Sequence, residues 1–110
     1  MAIYVDIQID QGSTFSMNLR ANDVDGASYN LTGYSVRAQA RRNYASTVYW
    51  SFTGSVTDAL KGAIALSLTA VQTAALKSGR YVYDVEIYNN SGIVVRIAEG
   101  QVEVTPRVTR

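Results

Sequence analysis

A chain of 110 residues, 47% apolar, with no Cys, no His and a net charge of +1 has room for one domain with a genuine core. The missing thiol and imidazole exclude disulfide staples, ordinary zinc ligation and the usual nucleophile–base pairs. Ten Lys and Arg against nine Asp and Glu leave no electrostatic footprint for nucleic acid or an anionic membrane, and no stretch nears the roughly 20 apolar residues that span a bilayer.

Strand signals come first. Ile3, Val5, Ile7 and Ile9 alternate with Tyr4, Asp6 and Gln8, predicting one strand with one buried face. Gln11-Gly12 punctuates it, and Phe15, Met17 and Leu19 then mark a second strand. Asn22-Asp23-Val24-Asp25-Gly26 is turn chemistry, since Asn and Asp can bond their own backbone and Gly supplies positive φ. Tyr34, Val36, Ala38 and Ala40 share the inner face of a third strand, with Ser35, Arg37, Gln39 and Arg41 outside. After a turn at Arg42-Asn43, Val48, Trp50 and Phe52 alternate with Tyr49, Ser51 and Thr53 in an aromatic-rich fourth strand.

Residues 58–62 form a loop, and Ile64, Leu66 and Leu68 a fifth strand. Thr69-Ala70-Val71-Gln72 has capping-box spacing, which starts a short connecting helix around residues 70–78, with Val71 or Leu76 inward and Gly79 as its left-handed stop. Tyr81, Tyr83, Val85 and Ile87 form a sixth strand, and Asn90-Ser91-Gly92 a hairpin with Gly92 left-handed. The returning strand turns Ile93, Val95 and Ile97 inward. Its register sets Val95 opposite Ile87 and Arg96 opposite Glu86, with Asp84 diagonal. Gly100 interrupts the alternation, predicting a bulge there, before Val102 and Val104 resume it. Pro106 ends sheet pairing. The expectation is an all-β, antiparallel sandwich of about seven strands over residues 1–106, with a short tail at 107–110.

Few constellations suggest chemistry. Asp84 and Glu86 share a strand face about 7 Å apart by strand rise, a spacing open to paired carboxylate work, but the register offers them Arg96 instead. Asp23-Val24-Asp25-Gly26 resembles the middle of a calcium loop, yet Ala21 and Thr32 stand where that loop needs carboxylates. The triplets Asn30-Leu31-Thr32 and Asn89-Asn90-Ser91 match glycosylation sites in form only, because the N-terminus turns polar by Asp6 and no targeting leader is expected. Arg37, Arg41, Arg42, Tyr44 and Tyr49 combine cation and aromatic, the residue types enriched at protein interfaces, and are the candidate partner contacts. No catalytic, metal or cofactor-binding residue stands out, and an enzyme is not expected.

One long segment carries a resemblance. It reads Gly62-Ala63-Ile64-Ala65-Leu66-Ser67-Leu68-Thr69-Ala70, then Gly79-Arg80-Tyr81-Val82-Tyr83-Asp84-Val85, and closes with Gly92-Ile93-Val94-Val95-Arg96-Ile97-Ala98-Glu99-Gly100-Gln101-Val102-Glu103-Val104-Thr105-Pro106. With Leu31-Thr32-Gly33-Tyr34 upstream, this resembles small immunoglobulin-like domains of tailed bacteriophage virion proteins, including the N-terminal domain type of baseplate upper proteins. Against antibody domains the match is partial: Tyr81 falls where a tyrosine corner would be, Tyr83 stands in place of the second Cys, and Trp50 comes one strand late. The resemblance implies an immunoglobulin-like sandwich. It also implies a structural part of a virion (tail, baseplate, neck or capsid-surface decoration), assembled in the host cytoplasm, that docks other virion proteins and forms a homo-oligomeric ring or trimer. The alternative is a carbohydrate-binding module for adhesion to a host surface glycan, with Tyr44, Tyr49 and Trp50 stacking on sugars.

Overall fold

Period-two burial runs through the strands, so the side chains that alternate in sequence also alternate in space. The computed structural model describes residues 3–21 and 29–109, and the turn and calcium-like segment at 22–26 lies outside the described residues. The described chain is mostly β. In order come β1 (Ile3–Tyr4), β2 (Ile7–Asp10), β3 (Phe15–Arg20), β4 (Ser35–Arg41), β5 (Tyr49–Ser51), β6 (Thr53–Asp58), β7 (Ala63–Leu68), the helix α1 (Ala70–Ala74), β8 (Gly79–Tyr88) and β9 (Val94–Thr105). A single turn of 3-10 helix, Ala59–Lys61, joins β6 to β7.

Two sheets enclose one core. The larger runs β1-β9-β8-β4-β5, with β2 also beside β9, and the smaller runs β3-β7-β6. Ile9, Val85, Ile87 and Val102 from the first meet Leu19, Ile64 and Leu66 from the second, all within 7% of full burial. The layers touch closely at Gly54 of β6, where an added Cβ would press on the Val36 side chain of β4 at 2.9 Å.

Ile3 and Ile93, expected inward, are 44% and 47% exposed, and four larger details differ from the sequence expectation. The run from Val48 to Thr53 is not one strand. Tyr49–Ser51 stays beside β4, Phe52 turns the corner, and Thr53–Asp58 joins β7 in the other sheet. With the expected first strand also broken into β1 and β2, the described residues form nine strands rather than about seven. The alternation is continuous across the corner, so nothing in the pattern marks the change of sheet. Second, the larger sheet is mixed, because β1 and β2 run parallel to β9. Third, the ladder shift in β9 falls at Ile97, not Gly100: Glu86 faces Arg96 while Val85 faces Ala98, and Ile97 and Ala98 are buried in succession. Fourth, the helix is shorter than expected. Thr69 and Gln72 do form a reciprocal capping box, but the helix ends at Ala74, and Gly79 (φ +132°) opens β8 instead of capping α1. Val71 is 81% exposed, and the inward residue is Thr73, whose hydroxyl donates to the carbonyl of Ser13 at 2.8 Å. Leu76 packs against the core beyond the helix.

Gly100 has a different task. It sits where the N-terminal strand breaks between β1 and β2, and a Cβ there would collide with the carbonyl oxygen of Val5. Around it Val5 N–H donates to Glu99 O (2.9 Å), Gln101 N–H donates to the Asp6 carboxylate (3.1 Å), and the Tyr83 hydroxyl donates to Val5 O (2.6 Å). Burial pushes the Tyr83 phenol up to about 12, aided by the Asp6 charge and Tyr4.

Replacing Gly100→Ala is expected to cost about 1–3 kcal/mol in urea unfolding, through overpacking against the Val5 carbonyl. Loss of hydrogen-exchange protection at the Val5 amide would locate the damage. Tyr83→Phe should cost about 1 kcal/mol at neutral pH by removing the bond to Val5. A raised folded pKa means that the Tyr83 contribution is full below the unfolded value of 10 and is lost as pH rises through about 12. Wild-type stability should therefore fall across that interval, and the decline should be shallower in the Phe variant, read by phenolate absorbance and circular dichroism.

Candidate functional site

The outward face of β4, β8 and β9 is charged and largely self-paired. Because β8 is a central strand, each outward residue has neighbours on both sides. Glu86 lies opposite Arg96 on β9 and Arg37 on β4, and its ion pair is with Arg37 (2.9 Å), not with Arg96 as the sequence suggested. Arg96 turns instead to Asp84 (3.5 Å), the expected diagonal partner, and to Glu99 (3.8 Å). These half-exposed pairs each contribute at most about 1 kcal/mol. Burial and the neighbouring Glu86 charge hold the Asp84 carboxyl above its ordinary value, against the opposing pull of Arg96. Among the described residues no three His, Cys, Asp or Glu side chains are grouped so as to hold a metal ion.

The five candidate contact residues separate into three settings. Arg37 lies over the Tyr88 ring at 4.7 Å besides its bond to Glu86. Arg41 ends β4, donating to Ser46 O (2.6 Å) and Gln39 Oε1 (3.2 Å), with its guanidinium 4.7 Å above Tyr49. Arg42 covers the Tyr81 ring at 4.4 Å and donates to the carbonyls of Ser78 and Arg80. Tyr44, 83% exposed, stands out from the loop between β4 and β5, while Tyr49 is half covered by Arg41. Arg41 and Tyr44 border a shallow polar depression of about 250 Å³ with Asp84, Arg96 and Glu99. Arg37 is not part of it.

Arg41, Arg42 and Tyr49 also border something the sequence did not reveal, an apolar groove of about 620 Å³. It lies between the β4–β5 hairpin and the segment that follows β7, with Val48, Trp50, Leu68, Leu76 and Tyr81 in its lining. Trp50 packs edge-on against Tyr81 (5.4 Å between ring centroids) and tilted against Phe52 (5.0 Å). Its Nε1–H is buried and has no acceptor among the described residues. Among the described residues three cations, Arg41, Arg42 and Lys77, border the groove and no carboxylate does. Leu76 and Lys77 were missed as site residues, and Trp50 was named only as a sugar-stacking candidate. The one signal for them was a lone Trp on a strand facing inward, which reads equally well as core.

No protein-family model matches the chain, and no curated protein shows significant similarity to it. Among the described residues no helix is long and apolar enough to cross a membrane.

Asp84 supplies a test of the charged face. A raised folded pKa makes its contribution full below the unfolded pKa and lost as pH rises through the folded one. Asp84→Asn mimics the protonated state. It should match or exceed wild type in melting temperature at pH 7, with the difference vanishing below about pH 4. A variant clearly less stable at pH 7 would mean that the Arg96 pair outweighs burial.

Proposed function

We propose that this chain is an immunoglobulin-like assembly module of a tailed bacteriophage virion, working through protein–protein contacts rather than catalysis. The observation that carries the immunoglobulin-like part is the combination of strand order with one tyrosine. In sequence order the small sheet pairs the second, fifth and fourth stretches of the sandwich (β3, β7, β6). The large one pairs the last two with the third, extended by a short extra strand. That order follows the B-E-D and G-F-C-C′ strands of variable-type immunoglobulin domains, which supports the reading. At the start of β8 the Tyr81 hydroxyl donates to the Lys77 carbonyl four residues upstream at 2.7 Å, as a tyrosine corner does. The virion part draws its support from the family resemblance of residues 62–106, and the assembly role from an exposed surface offering paired charges, open strand edges and an apolar groove rather than a reactive cluster.

The adhesion reading has less support. Sugar stacking needs aromatic faces presented together, whereas Trp50 turns inward onto Phe52 and Tyr81, and the Tyr49 face carries Arg41.

Immunogold labelling of purified phage particles with an antibody to this chain tests the proposal. Regular labelling at one site of the particle is the expected outcome, together with a closed ring or trimer in native mass spectrometry. Particles free of the chain would refute it. A monomer whose Trp50 fluorescence responds to host polysaccharide would replace it with adhesion.

A further inference from the structure

Three features meet at the outer edge of the large sheet. The first is an unsatisfied strand. Tyr49, Trp50 and Ser51 pair with Arg41, Ala40 and Gln39, and Phe52 N–H donates to Ala38 O at 3.0 Å. Hydrogen-bonded and non-bonded pairs alternate along an antiparallel ladder, so Trp50 bonds toward β4 while the backbone groups of Tyr49 and Ser51 point away from it. Among the described residues β5 ends the sheet, leaving those groups on an open edge. The second feature is the apolar groove beside that same strand, with all three β5 residues in its lining and a volume typical of binding clefts. Trp50 lines the groove, and its Nε1–H is buried with no acceptor among the described residues. The third is charge. Among the described residues neither Arg41, Arg42 nor Lys77 forms an ion pair, so the rim is uniformly cationic.

From these we infer that β5 and the adjoining groove form a docking site for an extended segment of another polypeptide, bearing an apolar anchor side chain flanked by carboxylates. The segment adds as a strand to β5, bonding Tyr49 and Ser51. Side chains alternate along a strand, so one that faces inward enters the groove beside Trp50 and Leu68. The flanking carboxylates meet Arg41, Arg42 and Lys77. Edge addition supplies affinity that does not depend on sequence, while the groove and its cationic rim select the anchor and its neighbours. The inference rests on the assembly reading above and names the surface it would use.

The test uses the full chain, labelled with ¹⁵N, and two acetylated ten-residue peptides of alternating Thr and Val with a central Leu. In one the Leu is flanked by Glu on each side, in the other by Lys. The Glu peptide should shift the amides of Tyr49 and Ser51 and the Trp50 indole N–H signal in a saturable titration. The Lys peptide should bind at least about five-fold more weakly. Lys77→Glu should weaken the Glu peptide by about two- to five-fold with the free spectrum otherwise unchanged. Trp50→Phe, which removes part of the groove's aromatic wall, should weaken it by about two- to ten-fold.

Absence of any shift at Tyr49, Trp50 and Ser51 with millimolar Glu peptide would overturn the inference, as would equal binding of the Lys peptide. If 4-phenylbutyrate, added as a small amphipathic anion, saturates the Trp50 signal while both peptides leave the strand amides still, the groove is a small-molecule pocket and the inference fails. Particle labelling is independent of all these outcomes, so failure of the peptide leaves the virion assignment standing, and failure of labelling leaves the docking site standing.

Discussion

An aromatic bridge holds the two sheets together. Phe52, at the corner where the chain leaves one sheet for the other, lies 5.0 Å from Trp50, 5.9 Å from Phe15 and 6.1 Å from Tyr83. These rings reach from β3 through the corner to β5 and β8. Such pairs each add about 0.5–1.5 kcal/mol beyond the apolar area they bury. With no Cys in the chain, no covalent link is available to join the layers, so packing carries that task alone. Tyr81 and Tyr83 extend the bridge at its polar ends. One hydroxyl is tied to the carbonyl of Lys77 after α1, the other to that of Val5 in the N-terminal strand. Two inward residues of a single strand thus anchor segments 4 and 78 residues away in sequence.

The same arrangement divides the surface into parts with different capacities. Central position gives β8 neighbours on both sides, so the carboxylates it presents outward are met by guanidinium groups from β4 and β9. That face is neutralised internally and has little charge left to offer a partner. The sheet edge at β5 is the opposite case. Only one side of that strand is paired, the adjacent groove is apolar, and its cations have no carboxylate among the lining residues. Unpaired backbone and apolar surface concentrate where the sandwich stops.

How much of this was legible depends on whether a feature is local. The inward rows Ile64-Leu66-Leu68 and Tyr81-Tyr83-Val85-Ile87 are buried as read, because a strand's period of two fixes which side chains share a face. The Thr69–Gln72 capping box and the hairpin register of Glu86 with Arg96 also follow from spacing over a few residues. The bulge did not. Gly100 looked like the irregularity because Gly commonly marks one, whereas the ladder slips at Ile97, and Gly100 makes room for Val5. The candidate contacts were legible as residue types but not as a group. Their spacing says nothing of Arg42 folding back over Tyr81, or of Arg37 being taken by Glu86.

What the sequence by itself determined is the β character, the composition of each buried face and the exclusion of thiol and imidazole chemistry, since all of these depend on side-chain identity and short-range periodicity. Tertiary structure alone decided that Val48 to Thr53 divides between two sheets, that the N-terminal strand lies parallel to β9, and that Trp50, Leu76 and Lys77 come together at an open edge. Alternation is the same on either side of a corner and in either direction of pairing. Which strands become neighbours is set by how the two apolar faces close on each other, and that closure involves residues far apart along the chain.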